Sequence, residues 1–125
     1  MRNRPTGDEL LTCARKVVRD EVLTALPADK RHAVLMVMNA MSIAERQLRY
    51  GEAPEREELA AIRRLLNEHF SDLAMGNRRL CDVIREGGAD PGRLERGALF
   101  AYLRGSSRQR LLESNPKILN EGKAG

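Results

Sequence analysis

Histidine, cysteine, serine and carboxylate side chains carry most protein chemistry, and here they are few and dispersed. The soft metal-ligand candidates are Cys13, His32, His69 and Cys81. They fall in four separate segments with no C-x-x-C or H-x-x-x-H pair, so zinc-ligand spacing is missing. The expected reading is two small semi-buried thiols and two surface or helix-end histidines. For nucleophilic catalysis the candidates are Ser42, Ser71, Ser106, Ser107 and Ser114, none of them in a G-x-S-x-G turn. Nothing in the spacing brings a histidine to any of them. Phosphate-cradling loops of the G-x-x-x-x-G-K-[ST] or G-x-G-x-x-G kind are missing too, and Gly87-Gly88 reads as a helix stop. The expectation is a chain with no catalytic residue, no cofactor site and no metal site of its own.

One polar constellation stands apart. His32, Asn39, Ser42 and Arg46 follow offsets of 7, 3 and 4, which puts them on one side of an otherwise apolar helix, with Leu35 among them. A buried amide without a partner costs about 1–3 kcal/mol, and an unpaired buried charge costs more. These residues are therefore a hydrogen-bonded network inside a bundle, simply exposed, or a docking surface.

The charge balance is 22 basic against 18 acidic residues, a net charge of +4, with a pI near 9.5. A basic chain invites a nucleic-acid reading. The distribution argues against it, because bases and acids are mixed, as in Arg15-Lys16 near Asp20-Glu21 and Arg63-Arg64 near Glu57-Glu58. Only 93–117 is locally biased, with Arg93, Arg96, Arg104, Arg108, Arg110 and Lys117 against Glu95 and Glu113. That face suits an acidic protein or a phosphorylated ligand, or it is solubilising surface.

The elements that must hold these residues are helices. A chain of 125 residues, 42% hydrophobic and 32% charged, suits one domain with an ionised surface. Aromatics at 3% leave little for stacking platforms. The longest apolar run, Ala33 to Met38, is far short of the ~20 residues a membrane span needs. Without an apolar run after Met1-Arg2-Asn3-Arg4-Pro5-Thr6, no secretory signal is expected; the expected location is the cytoplasm, and two lone cysteines fit it.

Helical periodicity recurs in five segments with no strand-like alternation, so the expected fold is all-α, a single-domain bundle of about five helices over 1–125. The first helix starts at the capping box Thr6-Gly7-Asp8-Glu9 and runs to Pro27. The second spans about Asp29 to Arg49, closed by Gly51. Ala33, Val34, Val37, Ala40, Met41, Ala44 and Leu48 form its broad apolar face, with Leu35 and Met38 outside it, which places the helix at the bundle centre or in a subunit interface. A third helix follows the linker Gly51 to Pro54, a fourth is capped near Ser71-Asp72, and the last opens at Asp90-Pro91 and ends at Ser114-Asn115-Pro116. Gly105-Ser106-Ser107 is expected to weaken that last helix, and 1–5 and 119–125 to fray.

Several short patterns together resemble a known family: Arg4-Pro5-Thr6 with Glu9-Leu10-Leu11, Glu21-Val22-Leu23 with Ala25-Leu26, Asn39 with Ile43 and Arg46, and Asn115-Pro116-Lys117. Over nearly the whole chain it resembles a bacterial family of small helical proteins with a domain of unknown function, encoded beside an aminoglycoside-phosphotransferase-like kinase and an acyl-CoA dehydrogenase. One branch is the small partner subunit of the levulinate-pathway kinase that phosphorylates 4-hydroxyacyl-CoA. The resemblance implies a non-catalytic partner of such a kinase in hydroxyacyl-CoA catabolism, with the dehydrogenase as a further partner. The kinase would supply ATP, Mg²⁺ and the catalytic acids. Matching positions place the partner interface at Asn39, Arg46, Asn115, Pro116 and Lys117. The alternative is a basic helical nucleic-acid-binding module, and a homodimer stays open because the second helix is so apolar.

Overall fold

Proline, glycine and a few capping side chains decide where each helix of this chain begins and ends. A computed structural model describes residues 3–122. Among them there is no strand, and the fold is all-α: α1 (Gly7–Val17), α2 (Ala28–Tyr50), α3 (Ala53–Leu66), α4 (Leu73–Arg85), α5 (Arg96–Ser114) and the short α6 (Lys117–Glu121). The helices form two compact units, one of residues 1–51 with 113–117 and one of residues 52–112 with 118–125.

In the first unit, α1 and α2 make an antiparallel hairpin. Thr6 and Glu9 form the expected capping box, with the Thr6 amide donating to Glu9 Oε2 at 2.8 Å. The helix does not run unbroken to Pro27. It widens into one π turn over Val18–Val22, tightens into a 3₁₀ turn over Leu23–Ala25, and Leu26 is extended. The wide turn lags the α-helical phase and brings Leu23 back toward α2, where an uninterrupted helix would turn it aside. Gly51 ends α2 at φ 65°, in the left-handed region that glycine adopts without strain.

The second unit holds the apolar core of the described residues. Ile62 is fully buried, and Phe70, Leu80 and Leu99 pack with it, flanked by Leu59, Leu65, Leu66, Leu73, Ile84 and Tyr102. Helices α3 and α4 approach closely because Gly76 has no side chain: a Cβ there would lie 2.9 Å from Ile62 Cγ2 and 3.3 Å from the Phe70 ring. Asn67 takes the left-handed position after α3 at φ 51°. Arg63 donates through Nε to the Phe70 carbonyl at 3.0 Å and fixes the turn. Asp72 then caps α4 by accepting from the Met75 amide at 2.8 Å.

Three of these boundaries differ from the expectation. Helix α3 starts at Ala53, because Pro54 in a first turn has no hydrogen bond to lose. The last long helix opens at Arg96 and not at Asp90-Pro91: Gly92 sits at φ 88° and the Arg93 amide donates to the Asp90 carbonyl at 3.1 Å. Pro-Gly at the centre of a turn is a stable alternative to a helix start, and it leaves Leu94 almost wholly exposed. Helix α5 continues through Gly105-Ser106-Ser107, where Ser106 is buried and hydrogen-bonded. The fraying expected over 119–125 starts too early, because Lys117–Glu121 form α6 after Pro116. At the other end, Arg4 is ion-paired to Glu9 at 2.9 Å; residues 1–2 and 123–125 lie outside the described residues.

Truncating the central side chain tests this core: Ile62→Ala is expected to cost about 2–5 kcal/mol. Urea unfolding should show the lower midpoint with an unchanged slope.

Candidate partner interface

The hairpin is built around a charge. Leu11, Val18, Leu23 and Leu26 face Val34, Met38 and Met41, all only half-buried, and among the described residues of this unit no apolar side chain is buried. The one buried side chain among them is Glu45, which accepts from Arg15 Nη2 at 3.0 Å and from Arg49 Nη2 at 2.7 Å. Arg49 also lies 3.8 Å from Asp8. Arg15 therefore pairs across the hairpin and not with the nearby Asp20 or Glu21 that the sequence offers.

Beside this seam an apolar face is left open. On α1, Leu10, Ala14 and Val17 are spaced 4 and 3 apart and all exposed. On α2, Ala33, Val37, Ala40 and Ala44 are spaced 4, 3 and 4; the first three are exposed and Ala44 is half-buried. At about 100° per residue each stripe lies about 100° round from its own seam, in the same rotational sense. Because the helices are antiparallel, the same sense on both puts the two stripes on one side of the hairpin. Helix α2 is thus not a bundle centre: Met36 is 61% exposed and Val37 55%. The α1–α2 pair has one seam between its helices, and Glu45 takes up part of it.

Of the residues the sequence singled out, Arg46 reaches the end of α5, at the two residues that precede the Asn115-Pro116-Lys117 segment. Its Nε donates to the Glu113 carbonyl at 2.5 Å and its Nη2 to the Ser114 carbonyl at 3.2 Å. Those carbonyls belong to the last turn of α5, where helix acceptors have no further amide to meet and Pro116 offers none. Asn39 is exposed on the same side of α2. His32 is also exposed, and Ser42 donates back to the Met38 carbonyl at 3.1 Å. The four residues therefore do not form one buried network. Cys13 and Cys81 are exposed and not semi-buried, each being rotated away from its helix's inward residues, Leu11 and Leu80. Among the described residues no three His, Cys, Asp or Glu side chains cluster closely enough to hold a metal ion, and no helix is long and apolar enough to cross a membrane.

Sequence reasoning missed the polar cluster of the second unit. Glu58 Oε1 accepts from Ser106 Oγ at 2.7 Å and from Tyr102 at 3.1 Å, and Arg110 Nη2 stands 3.5 Å away. The Tyr102 hydroxyl is also 3.0 Å from Asn77 Oδ1. Burial, and then the Glu58 charge, push the Tyr102 phenol well above its ordinary range. A cleft of about 290 Å³ lies over this cluster, walled by small residues such as Ala61, Ala101 and Gly105. Its serine, tyrosine and carboxylate are engaged with one another. The available signal was Tyr102 and Ser106 lying four apart, in register with Leu99, on the inward side of α5.

These features define an all-α protein with an open helical hairpin. The chain belongs to the family described as domain of unknown function DUF6285, matched over residues 24–118. The match spans α2 through α5 and includes Asn39, Arg46, Asn115, Pro116 and Lys117. No curated protein and no solved structure matches the chain.

Two substitutions test this description. Arg46→Met should loosen the end of α5, read as faster amide exchange confined to the residues around 113–117. Tyr102→Phe should cost about 1 kcal/mol at neutral pH. The folded state holds the Tyr102 proton longer than the unfolded chain, so its stabilisation is complete below about pH 10 and is lost above it. The Phe variant should lack that part of the alkaline decline in urea stability.

Proposed function

We propose that this protein is a non-catalytic accessory subunit that docks, through the open face of its α1–α2 hairpin, on an aminoglycoside-phosphotransferase-like kinase of hydroxyacyl-CoA catabolism. The observation that carries the docking role is the continuous apolar face of Leu10, Ala14, Val17, Ala33, Val37 and Ala40, exposed on a unit whose described residues bury no apolar side chain. Such a face beside a polar, charged surface is the usual signature of a protein contact. Alanines at its centre let another helix approach closely, and Leu10, Val17 and Val37 stand beside them as knobs. Each of these three is about half exposed, so its further burial is worth on the order of 1 kcal/mol. The kinase as partner rests on the resemblance of the sequence patterns, with ATP, Mg²⁺ and catalytic acids supplied by that subunit.

Co-expression with an aminoglycoside-phosphotransferase-like kinase from the same genome is expected to yield a complex that survives gel filtration, with kinase activity lost when the small chain is omitted. Val17→Glu with Val37→Glu should abolish co-elution while circular dichroism stays unchanged. A kinase fully active alone overturns the reading, and a homodimer formed through this face instead would reassign the surface.

A further inference from the structure

Helix α5 is apolar on two sides. Leu99, Tyr102 and Ser106 turn inward, and about 100° round the helix run Phe100, Leu103, Ser107 and Leu111. With Leu119 of α6 these residues line an open trough of about 410 Å³, and Arg104 and Arg108 complete its wall. Phe100 is 39% exposed and Leu103 38%, and Ile118 is half exposed nearby. The two arginines sit four residues apart, both exposed, and neither meets a carboxylate among the described residues. Their neighbours are already used: Arg110 lies against Glu58, while Arg96 donates to the Ala89 carbonyl at 2.8 Å and lies 4.8 Å over the Phe100 ring.

We infer that this trough docks an amphipathic helix of another protein, one whose apolar stripe is flanked by glutamate or aspartate. The floor demands apolar side chains, and the spacing 100, 103, 107, 111 is that of one helix packing along another. The wall demands anions. Guanidinium groups are weakly hydrated and pair with carboxylates through two parallel hydrogen bonds, so they tolerate the partial desolvation that docking imposes. Charge complementarity thus fixes the occupant as both apolar and acidic. The open length of the trough suits a rod laid on it better than an enclosed small molecule. Nucleic acid fits less well, because a phosphate backbone would leave the Phe100, Leu103 and Leu111 floor uncovered. This surface is separate from the hairpin face and does not depend on the kinase reading.

The test uses the full chain and a synthetic helical peptide with leucine along one stripe and glutamate flanking it. Fluorescence anisotropy is expected to show binding that weakens with added salt. A peptide with lysine in place of the glutamates should bind at least about tenfold more weakly, in keeping with the effect of placing like charges together. R104E/R108E should lose about tenfold for the glutamate peptide and gain for the lysine peptide, a swap that a general loss of structure cannot produce. Should that variant not fold, R104Q/R108Q takes its place and is expected to weaken the glutamate peptide alone. Equal binding of both peptides by the unaltered protein overturns the inference, and so does unchanged binding by the arginine variants. Displacement of the glutamate peptide from the trough by a DNA duplex would overturn the choice of an acidic helix as occupant.

Discussion

Two helices packed against each other share a single seam, and that constraint governs the first unit of this protein. A helix in a layered domain can bury a broad stripe because neighbours cover it from several directions. In the α1–α2 hairpin the helices cover each other along one seam, and the end of α5 meets α2 only on the Arg46 side, so residues about 100° from the seam on the other side stay in water whatever their polarity. The alanines and valines of α2 are therefore exposed by geometry, even though their spacing alone would place them inside. The second unit escapes the limit because Gly76 lets α3 and α4 close on Ile62 and Leu99 arrives from α5.

What the sequence made legible follows the same division. Helix class, the Thr6–Glu9 box, the Gly51 stop, the Asp72 cap and the end of α5 before Pro116 are local events, each decided by one or two residues. Pro91-Gly92 misled because one pair of residues serves two local purposes, a helix start or a turn, and only the left-handed Gly92 decides between them. The π turn left no visible trace in the periodicity. Of the candidate interface, Arg46 and the Asn115-Pro116-Lys117 segment were legible as matching positions, but the contact of Arg46 with the Glu113 carbonyl, across 67 residues of sequence, was not. Periodicity identifies which residues share a side of a helix. It does not say whether anything lies against that side, and so the apolar pattern of α2 left a bundle centre and a subunit interface equally open, where the structure shows an exposed face.

Glu45 shows how the open face is kept in place. A carboxylate in the seam is weak evidence for stability, because desolvation offsets much of its attraction to Arg15 and Arg49. Its value lies in register. Sliding α2 by one turn along α1 would take Glu45 out of reach of Arg15 and set Met41 or Arg49, according to direction, opposite the guanidinium. At the open end, Gly7 allows the approach that this register needs, since a Cβ there would lie 3.1 Å from Leu48. A purely apolar seam of valine, leucine and methionine would tolerate several alignments at similar energy, and each would place Leu10, Val17 and Val37 differently relative to one another. The buried ion pair thus selects one axial alignment of the two apolar stripes, and a shape that recurs identically in every molecule is what a specific partner requires.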